Sequence, residues 1–243
     1  MKKNILTIFI LICSAFVFQN VNAKEIVYKN ELGLELTEME YQNILAIHGE
    51  DYLKTMSSSD FDKYKEYYSY PDLKIEKVNS NVEEFIMPLS EFYETNYKRL
   101  SVTNVTNSTP TTLVVVQLKW KQVPKVKSYD VIGVRLYNTS FSGSVSTYAL
   151  INGIRVSPEA TKKVSNGVGA SIKLLSDSSS IEIQQSFTVN SGGIVYACYQ
   201  HAIKNISLSD SQNFTISSVG LGKVFKFTNI SLFDQMDGIS IKI

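Results

Sequence analysis

Two stretches decide the fold: Val114-Val115-Val116-Gln117-Leu118-Lys119-Trp120 and Ile181-Glu182-Ile183-Gln184-Gln185-Ser186-Phe187-Thr188-Val189-Asn190. In the first, Val114, Val116, Leu118 and Trp120 alternate with Val115, Gln117 and Lys119. In the second, Ile181, Ile183, Phe187 and Val189 alternate with Glu182, Gln184, Ser186, Thr188 and Asn190. A period of two places one set of side chains on a buried face and the other on the opposite face, here read as solvent. Ile132, Val134 and Leu136 repeat the pattern, as do Ile239, Ile241 and Ile243. Turn signals separate these runs: Asn152-Gly153, Asn166-Gly167, Asn190-Ser191-Gly192-Gly193 and Asp237-Gly238. The reading is a mostly β chain: an antiparallel β-sandwich, jelly-roll-like, of roughly eight to ten strands, over residues 100–243. No internal repeat points to a propeller or solenoid.

Upstream the periodicity changes. Thr37 and Glu40 have the spacing of a capping box. Tyr41, Ile44, Leu45 and His48 then recur at helical intervals, and Gly49 is a natural stop. A second short helix is expected from Ser59 or Asp60, with Phe61, Tyr64 and Tyr68 on one face, ended by Pro71. A small α-helical N-terminal unit over residues 24–70 therefore precedes the sandwich. Residues 71–99 form a connector in which Leu73 to Val78 suit a strand and Pro88 breaks the remainder. Helices this short need a surface to pack on. Lys24 to Arg99 holds 9 basic and 16 acidic residues, whereas Leu100 to Ile243 holds 13 basic and 7 acidic. The units thus attract each other, but apolar burial of Tyr41, Ile44, Leu45 and Phe61 should dominate the docking.

The run from Tyr28 to Tyr41, with its Tyr-x-Asn-x-x-Gly lead-in and Leu36-Thr37-Glu38 helix start, followed by Asp51-Tyr52 and Met56-Ser57, resembles the opening of uncharacterised secreted proteins of low-GC Gram-positive bacteria. The resemblance covers the first quarter of the mature chain. It implies an exported bacterial protein and carries no known active site.

Export is also written in residues 1–23. Met1-Lys2-Lys3 is a positive n-region, Ile5 to Phe18 an apolar run too short to span a bilayer, and Val21 and Ala23 a small-residue cleavage signal. Cleavage after Ala23 would leave a secreted, extracellular protein starting at Lys24, with no stable transmembrane anchor. Cys13 would leave with the signal. The remaining Cys198 cannot form an internal disulfide and reads as a small buried apolar residue.

The chemistry-bearing residues are sparse. A net charge of +1 argues against a nucleic-acid partner. No nucleophile elbow, His-Glu-x-x-His or phosphate loop occurs. Cys198 and His201 lie three apart, so in a strand they point to opposite faces. His48 ends the first helix, where a protonated imidazole would favour the dipole. Asp234 and Asp237 read as a polar turn rather than a calcium cage. No metal, cofactor or catalytic set is selected. The remaining candidates for ligand binding are Tyr129, Tyr137 and Tyr148, for stacking on a sugar, and Lys121, Lys125 and Lys127, for an anionic polymer. Together these features point to an exported non-enzymatic binding or interaction protein for a glycan, wall polymer or host surface ligand. A membrane-active or pore-forming β protein is the alternative, and a hydrolase without a recognisable motif the third reading.

Overall fold

The computed structural model describes residues 25–79, 97–217, 224–234 and 237–243; the export signal and Pro88 lie outside them. A short ladder of β1 (Tyr28–Lys29) and β2 (Glu35–Leu36) opens the chain, and two larger antiparallel sheets carry the fold. The six-stranded sheet has the order β3 (Lys74–Asn79), β4 (Lys98–Thr106), β5 (Thr111–Trp120), β11 (Ile181–Asn190), β7 (Ser146–Ile151) and β8 (Ile154–Val156). The five-stranded sheet has the order β15 (Asp237–Lys242), β12 (Ile194–His201), β6 (Tyr129–Tyr137), β10 (Gly167–Lys173) and β9 (Ala160–Val164). Leu100, Val114, Val116, Ile183 and Phe187 from the first sheet meet Ile132, Val134, Val168, Ala170 and Val195 from the second in one core. This is the antiparallel sandwich that the alternation predicts.

The Asn152-Gly153 signal closes the β7–β8 hairpin; the β9–β10 hairpin turns one residue earlier than Asn166-Gly167, at Ser165-Asn166, with Gly167 already paired to Val164. The Asn190–Gly193 turn instead carries the chain from one sheet to the other, since β11 and β12 lie in different sheets. Asp237-Gly238, read as a turn, begins strand β15 and pairs with Tyr199 and Cys198. The 71–99 stretch supplies β3, an edge strand whose Ile75 and Val78 pair with Val105 and Val102 of β4.

The outer sheet faces are covered too. Helices α1 (Glu38–His48), α2 (Glu50–Thr55), α3 (Ser58–Lys63) and α4 (Lys65–Tyr68) lie on the outside of the six-stranded sheet. Ile44, Ile47, Tyr52, Leu53, Phe61 and Tyr68 pack there against Val105, Leu113, Val115, Tyr148 and Leu150. The expected Thr37/Glu40 capping box starts α1. A second one, Ser57 with Asp60, starts α3 a residue or two earlier than the sequence suggested. Helix α2 went unread because its six residues are too few for a visible period. Gly49 joins α1 to α2 at φ 88°, a left-handed setting that favours glycine, and its N–H caps Leu45 at 2.9 Å.

On the outside of the five-stranded sheet sits a hairpin of β13 (Phe214–Ile216) and β14 (Phe225–Phe227). Phe214, Phe225, Phe227 and Phe233 cover Val131, Tyr196 and Cys198. Both sheets are therefore buried on both faces over much of their area. This corrects the solvent assignment of Glu182, which is 7% exposed beneath the helical layer.

Candidate functional site

The helices cover only part of the six-stranded sheet. At the corner they leave open lies a cleft of about 570 Å³. The α1–Gly49–α2 turn forms its wall, and β3, β4, β5 and β11 form its floor. The outward register of these strands supplies Lys77, Arg99, Lys119 and Glu182, while the turn supplies Glu50 and Asp51.

Two glutamines organise the floor. Gln117 Nε2 donates to His48 O at 3.2 Å and to Glu182 Oε1 at 2.8 Å. Gln184 Nε2 donates to the same two oxygens at 3.1 and 2.8 Å. Because both partners only accept, each amide is fixed with its NH2 end towards them. Gln117 Oε1 is thereby turned to accept from Lys77 Nζ at 3.3 Å. Lys119 Nζ lies 3.7 Å from Glu182 and 4.0 Å from Asp51. Arg99 stands directly opposite Lys119 in the β4–β5 register, a like-charge pairing that weakens a sheet. Partial burial pulls the Lys77 ammonium below its ordinary range; Glu182 opposes the shift, and Arg99 and Lys119 add to it. The cleft thus holds three cations, Lys77, Arg99 and Lys119, on its floor and three carboxylates, Glu182 on the floor with Glu50 and Asp51 on the wall.

The residues singled out from sequence do not form this site, and they do not form one site among themselves. Tyr129 and Tyr137 stand at opposite ends of β6, about 26 Å apart at the usual rise of a strand. Tyr129 is buried and donates to Glu159 Oε2 at 2.6 Å; burial and that carboxylate push its phenol up to about 12. Tyr137 is exposed. Tyr148 is no surface platform: it is 2% exposed, stacked on Tyr52 at 5.2 Å with Arg155 4.2 Å from its ring. Lys121 and Lys125 are exposed in the β5–β6 connection, where Lys127 Nζ donates to Pro124 O. Sequence reasoning missed Lys77, Arg99 and Glu182, whose only signal was a charged side chain at a polar strand position.

A second polar cluster is buried inside the sandwich. Lys98, the first residue of β4, is 1% exposed and its Nζ contacts Asp234 Oδ2 at 2.5 Å. That ammonium lies 5.6 Å from the Trp120 ring centre and 4.8 Å from that of Tyr199. Trp120 Nε1 donates to Tyr199 Oη at 3.0 Å and reaches Asp130 Oδ2 at 3.3 Å. Asp130 Oδ1 meets His201 Nδ1 at 2.7 Å. Cys198 faces the other way, into the phenylalanine layer, so the opposite-face expectation for Cys198 and His201 holds.

Among the described residues no helix is long and apolar enough to cross a membrane, and no group of His, Cys, Asp and Glu is placed to hold a metal ion. No family model matches the chain. No curated protein matches it. Among solved structures it is similar to the collagen-binding domain of Erysipelothrix rhusiopathiae surface protein RspB, with 11% identity over 71% of this chain and 60% of that one, at a TM-score of 0.32.

Proposed function

We propose that this chain is an exported binding protein and that the cleft takes an anionic segment of a glycan, wall polymer or host surface ligand. The carrying observation is the placement of Lys77, Arg99 and Lys119 together on the cleft floor. Cross-strand cations cost stability; Glu182 and Asp51 offset that cost at Lys119, and a carboxylate or phosphate of a ligand seated beside Lys77 and Arg99 would offset it further. The sheet floor and the locked glutamines leave little to reorganise on binding. The polar lining, with Asn79 beside the charged groups, suits the hydroxyls of a sugar or polyol chain. Export is supported by the Met1–Ala23 reading.

Retention of the purified protein on immobilised poly(glycerol phosphate), hyaluronan and dextran tests this. Binding to one of the two anionic polymers, absent on neutral dextran and weakened by salt, is expected. Lys77→Gln with Arg99→Gln should lower the affinity about tenfold or more. Equal retention on dextran, or no effect of the double variant, would overturn the reading. Release of dye from loaded vesicles would favour the membrane-active alternative instead.

A further inference from the structure

We infer that Lys98 and Asp234 are joined by an intramolecular amide bond, formed by the folded chain itself and linking the two sheets of the sandwich. The observation is the contact of the buried Lys98 Nζ with the half-buried Asp234 Oδ2 at 2.5 Å, across 136 positions of sequence. A lysine taken almost wholly out of water is costly as an ion, and its pairing with a carboxylate repays that cost only in part. An amide keeps the contact and removes both charges.

The surroundings hold the carboxyl for attack. Asp234 is fixed at its backbone, where its N–H donates to His201 O at 2.8 Å and its carbonyl accepts from Gln200 Nε2 at 2.9 Å. Its two carboxyl oxygens are not equivalent. The His201 N–H donates to Oδ1 at 2.7 Å, while Oδ2 faces the amine. The Trp120 and Tyr199 rings lie beside Lys98 Nζ. Burial raises the Asp234 carboxyl, working against the Lys98 ammonium and the His201 N–H, so its protonated form is favoured relative to an exposed aspartate.

The step balances within the pair. The ammonium passes one proton to Asp234 Oδ2 across their contact, which leaves a neutral amine and a neutral acid. The Nζ lone pair attacks Cγ and forms the N–C bond. Charge gathers on Oδ1, where the His201 N–H stabilises it. The Cγ–Oδ2 bond then breaks, and Oδ2 leaves as water with the proton it received and one from nitrogen. Oδ1 becomes the amide carbonyl. No oxidant or further reactant is needed. Holding amine and carboxyl in contact supplies the effective concentration that the reaction lacks in free solution.

The experiment is intact-mass measurement of the purified full chain under denaturing conditions, followed by a tryptic map. The expected mass is lower than that of the processed sequence by one water molecule. Trypsin should no longer cut after Lys98, and a branched peptide containing Lys98 and Asp234 should appear. Lys98→Arg, read by the same two measurements, should restore the full mass and the linear peptides. A wild-type chain at its full sequence mass, with linear peptides only, would reduce the contact to an ion pair and overturn the proposal. A water loss that persists in Lys98→Arg would overturn it too, by placing the loss elsewhere.

Discussion

His48 Nδ1 lies 3.0 Å from Gln184 Oε1, and this bond ties the end of helix α1 to the middle of strand β11. The Gln184 NH2 group already serves His48 O and Glu182, so its oxygen must accept from His48. His48 therefore carries its proton on Nδ1, and Nε2 accepts from the Tyr68 hydroxyl at 2.8 Å. Burial pushes the imidazole down to about 4, against the raising effect of Gln184 and with Arg155 adding to the fall. The helix-dipole role expected of a protonated His48 is thus replaced by a neutral ring inside the helix–sheet interface.

That ring makes stability depend on pH. The unfolded chain takes up a proton at His48 near pH 6.5, whereas the folded chain resists until about pH 4. Its contribution is complete above pH 6.5 and is lost as pH falls towards 4, to the extent of about 3 kcal/mol. Denaturant melts at pH 7 and pH 4.5 should show a larger loss in the wild type than in His48→Gln. Equal losses would show that His48 does not titrate in this way.

Apolar burial holds the helical layer. Ile44 is fully buried against the sheet. Ile44→Asp should cost about 3–5 kcal/mol, from lost packing and a stranded charge. Hydrogen exchange over residues 37–68 should approach that of a free peptide in this variant, while roughly 0.5 M salt, which screens exposed pairs, should leave the wild type protected. Release of the layer by salt alone would reverse the ranking of the two forces.

Arg155 clamps the same layer. Its guanidinium donates to both oxygens of Asp60 at 2.7 and 3.1 Å. Burial opposes the charge of Asp60, yet Ser57 and Arg155 together hold its carboxyl below the usual range. With Arg155 partly exposed, Arg155→Ala should cost about 1–3 kcal/mol. Arg155→Lys should recover less than half of that, because an ammonium cannot make the paired contact. Thermal unfolding of the three proteins measures this; a lysine variant as stable as the wild type would refute the paired role.

The phenylalanine layer depends on a bare strand surface. Gly133 pairs with Gly169 and with Cys198. A Cβ at Gly133 would lie 2.3 Å from Phe225 Cζ and 2.7 Å from Val168 O. Gly133→Ala should therefore lift the hairpin at about 1–3 kcal/mol. Cys198 reports on this, being fully buried under that layer. Its thiol should react slowly in the wild type, faster in Gly133→Ala and fastest in denaturant. Equal rates in the two native proteins would mean that the layer tolerates the added methyl.

The alternation in Val114–Trp120 and Ile181–Asn190 determined the strands and their inner faces, because inner-face burial imposes a period of two whatever the partner. The Thr37/Glu40 spacing likewise determined the start of α1, since a capping box is closed by local bonds. What covers the outer faces was not written locally. Glu182 occupies a polar position in the pattern, and only the docking of α1 on β11 turned it into a buried acceptor for two glutamines. Tyr148 carries no mark in the sequence that separates a stacking platform from a side chain pressed beneath Tyr52 and Arg155. Arg99 and Lys119 face each other near the open end of the β4–β5 hairpin, Lys77 joins them from β3, and Lys98 meets Asp234 across 136 positions of sequence. These groupings were decided by sheet order and register, which no local periodicity encodes.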